Sequence, residues 1–319
     1  AYGYLSMPSA ATLGHLQVGG AFWANYSNDP VVLVYDGNRV APNPDSVSGD
    51  KGDALVDDRY AGNLHMGVGV SRFFSLTLDL PMVMLQSGYQ TANIDNPSIE
   101  PQALISAGIG DLRIQPKLVA LDRDRVPVGL SIAVPVGLPT GNGGSFLGEG
   151  AATVTPSLVL EFSDASIRSR SYIFRTALMG GYRVRSEDRM RDVRLDDEIV
   201  YGIAMALHPV PPLEIIAEFH GSVWGPQLSQ APAEFLAGLK FMAGRYVNIN
   251  LGGGAGVLPG IGSPDYRIVA GVSVAPSFDP NARDSDKDGI VDGMDRCVKD
   301  AEDLDNFQDA DFQLAELLK

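Results

Sequence analysis

Asp111-Leu112-Arg113-Ile114-Gln115-Pro116-Lys117-Leu118 alternates charged or polar residues with apolar ones, the two-residue period of a β-strand. Asp111, Arg113, Gln115 and Lys117 share one face; Leu112, Ile114, Pro116 and Leu118 share the other. A single strand of this kind would suit the surface of a soluble sandwich. Here the pattern recurs along the chain, and the connections between copies are short and long in turn. A soluble protein of such hairpins would leave an apolar stripe of every strand facing water, which invites aggregation. Hydrocarbon outside and a polar lumen inside satisfy both faces, and closing the ring removes the unpaired edges. The expected fold is therefore all-β, a transmembrane antiparallel up-and-down β-barrel of about twelve strands.

Upstream of 111–118 the alternation marks strands near 15–26, 59–70 and 74–85. Downstream it marks 126–138, 153–162, 174–183, 198–208, 214–223, 234–241, 247–257 and 266–274. Tight turns at 71–72, 122–125, 163–165, 209–212 and 244–246 alternate with longer loops, among them 27–58, 86–107, 140–150 and 186–197. An even strand number with this alternation puts both termini on one side, which in bacterial outer-membrane barrels is the periplasmic side. Tyr26, Tyr182, Tyr201, Phe235 and Tyr266 then fall at the outer rim, and Phe74, Phe162 and Phe241 at the inner one, as candidate aromatic girdles. Residues 1–14 have no clear period and read as a leader to a barrel spanning 15–278.

The face opposite the apolar stripe carries Asp79, Asp111, Arg113, Lys117, Glu161, Arg175, Arg183, Glu214, Glu218, Glu234, Lys240 and Arg267. Charges held inside a barrel must be paired or wet. They either interlock across a narrow lumen or line a water-filled pore. Twelve strands lie between the filled eight-stranded barrel and the open sixteen-stranded one, so size does not decide. Mixed signs favour cross-lumen pairs and a narrow or plugged barrel.

The formal charge of −15 excludes a broad basic surface for nucleic acid. From Asp279 to Lys319 there are 13 acids and 5 basic residues, a net of −8, so over half the excess lies in this C-terminal segment. No window reaches the ~18 uninterrupted apolar residues of a spanning helix. The sequence opens at Ala1 without a basic n-region, as expected of a mature exported form. The one cysteine, Cys297, allows no internal disulfide. No catalytic residues are expected: His15, His65, His208 and His220 are scattered over the strands, and His220 with Ser222 is a weak pair roughly 6–7 Å apart along one strand. The Gly-rich stretch 143–150 lacks the Lys-Ser/Thr ending and following helix of a phosphate loop.

Past Pro280 the pattern changes. Asp284, Asp286, Asp288, Asp292 and Asp295 occupy positions 1, 3, 5, 9 and 12 of a loop with Gly289 at position 6. Ca²⁺ takes several oxygens at about 2.3–2.6 Å, and this spacing curls them around one centre with the Ile290 carbonyl as a further ligand. Asp303, Asp305, Asp309 and Asp311 form a second, weaker candidate set without the glycine.

The run Asp284–Cys297, with Glu302, Asp303, Asp305, Phe307, Asp309 and Asp311 after it, resembles a pair of thrombospondin type 3 repeats. Asn28–Leu33, Gly110–Arg113, Leu138–Gly141 with Phe146–Gly148, and Gly262–Arg267 with Ala270-Gly271 are similar to OmpA-like outer-membrane barrels of deltaproteobacteria and myxobacteria, in which such repeats follow the barrel. The resemblance implies an outer-membrane location with a calcium-stiffened periplasmic segment, 279–319. It departs from the family where Phe312 stands in place of the usual second cysteine. A peptidoglycan-binding continuation, usual in that family, is not part of the sequence. Two functions follow as expectations. One is a structural and interactional barrel in contact with outer-membrane lipid, whose extracellular loops meet a cell-surface protein. The other is a porin-like channel for small solutes.

Overall fold

The computed structural model describes residues 3–276, except 33, 36–37, 40–53, 90–102, 123–127, 165–171, 191–192, 211, 225–230, 245 and 259. Twelve strands close into an antiparallel barrel. They are β1 (Val18–Val32), β2 (Ala54–Ser71), β3 (Phe74–Gly88) and β4 (Leu112–Leu121). Next come β5 (Val128–Ala133, resuming at Val136–Leu138) and β6 (Thr153–Val154, resuming at Ser157–Ser163). The rest are β7 (Phe174–Arg183), β8 (Glu198–Val210), β9 (Leu213–Trp224), β10 (Ala233–Ala243), β11 (Val247–Leu258) and β12 (Tyr266–Val274). Each strand pairs with its sequence neighbour, and β12 returns to β1 in register from Gly20 opposite Val274 to Asn28 opposite Tyr266.

Burial is inverted relative to a water-soluble domain. Leu251 is 59% exposed while Asn250 beside it is 2% exposed. Glu161 is fully buried between the exposed Leu160 and Phe162. Ile215, Leu239, Phe241, Ile268 and Val272 likewise point outward from strands whose inward side chains are Glu214, Lys240 and Ser273. An isolated charge buried this way is costly, so the interior must supply partners, and the apolar belt requires a hydrocarbon solvent. At one rim Tyr26 packs against Tyr60 and Tyr266, with ring centroids 4.8 and 5.7 Å away, and the Tyr26 hydroxyl donates to Asp58 at 2.5 Å. Amphipathic rings of this kind sit at a membrane–water boundary.

Three features depart from the pattern read along the chain. First, β1 and β2 extend past the tyrosine rim, and much of the expected loop 27–58 is strand. Val31, Leu55 and Val56 are buried there with Leu104, packed by Phe146 and Ile261. This apolar cluster at the mouth holds the ladder together beyond the membrane belt. Second, β5 and β6 are each broken next to a proline, Pro135 and Pro156, which cannot donate to the ladder. Third, residues 3–14 are not an extension outside the barrel. They run inside it.

Candidate functional site

The N-terminal segment Gly3–Leu13 enters from the end where β1 begins and reaches Glu218, midway along β9. It folds there because inward side chains take up its backbone. Glu218 accepts the amides of Leu5, Ser6 (2.9 Å) and Met7 (3.3 Å) and the Ser6 hydroxyl (2.6 Å). Glu161 accepts the Ala10 amide at 2.7 Å, the Ser9 hydroxyl at 2.6 Å and the Tyr4 hydroxyl at 2.8 Å. Lys117 donates to the carbonyls of Ser9 and Ala11, the latter at 2.7 Å. The Gly3 carbonyl accepts from Arg175 at 3.3 Å and from Lys240. Thr12 donates to Ser75, and Gln17 ties the exit by donating to the Ala275 carbonyl at 2.8 Å.

Apolar side chains of the segment find matching space. Tyr4, Leu5, Met7 and Ala10 are buried with Val159, Ala177, Ala204, Ala206, Ile216 and Leu236. Leu5 approaches Gly238 and Gly252 so closely that a Cβ on either would lie 3.0 or 2.9 Å from it. Met7 occupies the equivalent notch over Gly202. The small inward residues thus leave room for the segment.

The wall beneath is a charge network. Arg175, 1% exposed, lies 2.6 Å from Glu214 and 3.4 Å from Glu161, with its guanidinium 4.0 Å above the Tyr4 ring. Lys240, opposite Glu214 in the β9–β10 register, is 3.5 Å from the same carboxylate, which also accepts the Tyr172 hydroxyl. A guanidinium between two carboxylates and an aromatic face neutralises charge where water is scarce.

A second element narrows the mouth. Asp111 is buried and does not face the open lumen. Its carboxylate accepts the amides of Gly141 (2.8 Å) and Glu149 (2.6 Å), closing the 140–150 loop like a clasp. The Thr140 hydroxyl accepts the Leu112 amide and donates to the Gly110 carbonyl. Gln86 and Arg59 donate to the carbonyls of Ser145 and Phe146. A Cβ on Gly148 would lie 2.3 Å from Asp111 Oδ1, so glycine is required by close approach. The stretches 110–113, 138–141 and 146–148, distant in sequence, meet at this clasp. Across the mouth, Glu149 pairs with Arg185 at 3.0 Å, and Glu198 pairs with Arg183 at 2.6 Å and Arg185 at 3.5 Å.

Beside the segment a water-accessible cavity of about 950 Å³ remains. Asn25, Asn63, His65, Asp79, Arg113, Gln115, Arg183, Glu234 and Arg267 line it. Asp79 lies 3.3 Å from Arg113 and 3.4 Å from His65, and Glu234 is held by Arg267 at 2.8 Å. The inward charges thus divide into three groups. Asp79, Arg113, Arg183, Glu234 and Arg267 border the cavity; Lys117, Glu161, Arg175, Glu214, Glu218 and Lys240 surround the segment, the two lysines also reaching the cavity; Asp111 holds the loop. His220 faces Ser6 at 3.5 Å, and that hydroxyl is committed to Glu218. Among the described residues no group of three or more His, Cys, Asp or Glu is placed to hold a metal. The candidate calcium ligands Asp284–Asp295 and Asp303–Asp311 lie outside the described residues.

Sequence reasoning placed the inward charges on one face but missed what they hold. The first residues carry only uncharged polar and apolar side chains, so the sequence offered no signal that they are what the inward charges hold.

No protein-family model matches the chain, and no curated protein sequence matches it either. Among solved structures the fold is similar to an outer membrane channel from Pseudomonas putida F1, with 14% identity and a TM-score of 0.58 over 84% of this chain and 98% of that one. The NanC porin aligns at 8% identity and a TM-score of 0.46, over 81% of this chain and 98% of its own. A toluene transporter from Ralstonia pickettii aligns at 8% identity and a TM-score of 0.45, over 85% and 92%. What the chain has in common with the Pseudomonas putida channel is its fold, a closed antiparallel barrel.

Proposed function

We propose that the protein is an outer-membrane channel for diffusion of small polar solutes, gated by its own N-terminal segment. The observation that carries this reading is the segment's mode of attachment. Gly3–Leu13 occupies the lumen only through hydrogen bonds and packing, next to a cavity of about 950 Å³ lined by charged and apolar side chains alike. The likeness of fold to an outer membrane channel supports the location and the transport role. Of the two functions expected from the sequence, the channel is the one favoured by an open cavity that charged side chains border. No arrangement among the described residues favours an adhesive role for the loops.

The test is single-channel recording in planar bilayers. The intact chain should give small conductance with rare large steps, and a variant lacking residues 1–13 should stay in the large state. Equal conductance of the two would overturn the gate.

We propose in addition that Asp284, Asp286, Asp288, Asp292 and Asp295, with the Ile290 carbonyl, bind Ca²⁺ in a periplasmic segment, on the strength of their spacing. Asp303, Asp305, Asp309 and Asp311 would form a second, weaker site. Limited proteolysis with calcium and with chelator tests this: protection of 284–311 by calcium is expected, and identical digestion rejects it.

A further inference from the structure

The lumen wall holds the N-terminal segment by its backbone. Along Gly3–Leu13 no side chain carries a formal charge. Yet the contacts alternate in sign with the peptide: cations on the Gly3 carbonyl, a carboxylate on the amides of residues 5–7, Lys117 on the Ser9 and Ala11 carbonyls, and Glu161 on the Ala10 amide. Amides and carbonyls are common to every peptide, whatever its side chains. Specificity beyond them comes from shallow notches at Gly202, Gly238 and Gly252, which take one Met and one Leu.

Glu218 makes the point most sharply. It is 1% exposed, and all its hydrogen-bond partners among the described residues belong to this segment. Lys117 is likewise buried, with hydrogen bonds only to Ser9 and Ala11 carbonyls among the described residues. Arg175 and Glu214 neutralise one another, but among the described residues Glu218 and Lys117 have no such mate within ion-pairing distance. When the segment leaves, they face the lumen with unmet demand for amide donors and carbonyl acceptors.

We propose that the vacated lumen is a binding site for short, extended, uncharged peptides, and that the N-terminal segment is its tethered occupant. The proposal rests on the gated-channel reading and gives that channel a substrate class. A tether holds the segment at about millimolar effective concentration, so a free peptide competes poorly in the intact chain. Hydrocarbons lack the donors and acceptors that Glu218, Lys117 and Glu161 require, and sugars offer hydroxyls but no run of amides and carbonyls at the spacing of an extended backbone.

The experiment uses the variant lacking residues 1–13 in planar bilayers, with an end-blocked synthetic peptide of the sequence 3–12 as probe. Concentration-dependent current block is expected. N-methylation at the amides matching Leu5, Ser6 and Met7 should raise the half-blocking concentration about 10-fold or more, because those amides bond a carboxylate. The Glu218→Gln change in the same variant should weaken block by the unmethylated peptide and narrow the difference between the two, because glutamine keeps one acceptor oxygen. A scrambled uncharged peptide should block nearly as well, and an oligosaccharide of similar length should not. Equal block by the methylated and unmethylated peptides, or by the oligosaccharide, overturns the proposal. If the truncated chain passes no current, the channel reading fails. Fluorescence anisotropy of the labelled peptide on the detergent-solubilised chain then still decides the peptide site, with methylation as the discriminator. Should the truncated chain not fold, the full-length variant Leu5→Asp with Ser6→Asp replaces it, because two new carboxylates beside Glu218 expel the segment.

Discussion

Replacing Glu218 by glutamine isolates the contact that holds the gate. The carboxylate accepts three segment amides and one hydroxyl. Hydrogen bonds to a charged acceptor contribute about 1.5–3 kcal/mol each, against about 0.5–1.5 for neutral pairs. Glutamine retains one acceptor oxygen and turns an NH₂ group toward donors, so at least one bond is lost and the others weaken. The plugged state should lose about 2–4 kcal/mol by this reasoning, before the desolvation that the charge no longer suffers is credited back. Taking the lower end, the equilibrium between plugged and open lumen should move about 30-fold toward open. The assay is the fraction of time in the large-conductance state at fixed voltage. An unchanged fraction, in bilayers where removal of residues 1–13 does raise it, refutes the reasoning, because the carboxylate would then hold nothing that matters for closure.

Arg175→Met should destabilise the barrel by about 3–5 kcal/mol, since it strands Glu161 and Glu214 in a dry site; an unchanged urea midpoint in lipid would show those carboxylates to be solvated. Leu251→Arg places a cation on the outward face, where a midplane position in lipid costs about 2–4 kcal/mol. Folding titrations into vesicles should register that loss, and none is expected if the face meets water. Gly148→Ala pushes a methyl against Asp111 and should open the clasp on the 140–150 loop at about 1–3 kcal/mol. The readout is faster protease cleavage within 140–150, and wild-type resistance would count against the clasp.

The strands were legible because their period is local. Each lipid-facing residue, such as Leu158, Ile203 or Leu239, sits next to a lumen-facing one, and a one-residue shift would invert both faces. Strand count, turn ends and the aromatic positions followed from that alternation and from loop lengths. The rim extension of β1 and β2 was harder to read, because Val31, Leu55 and Val56 are buried by Leu104, Phe146 and Ile261, which arrive from other loops. The clasp was invisible for the same reason. Asp111 looks like any inward carboxylate until the 140–150 loop brings two amides to it.

The sequence by itself determined the twelve-fold alternation, the apolar exterior and a polar interior of both signs, since a side chain's face on a strand depends only on its parity. Only the tertiary structure decided what the interior charges serve. Residues 3–13 carry no period and no charge, and apart from Ser75 on β3 the side chains that hold them lie over a hundred residues away on β4, β6, β7, β9 and β10. Those partners bind backbone amides and carbonyls, which every residue possesses and no sequence pattern marks.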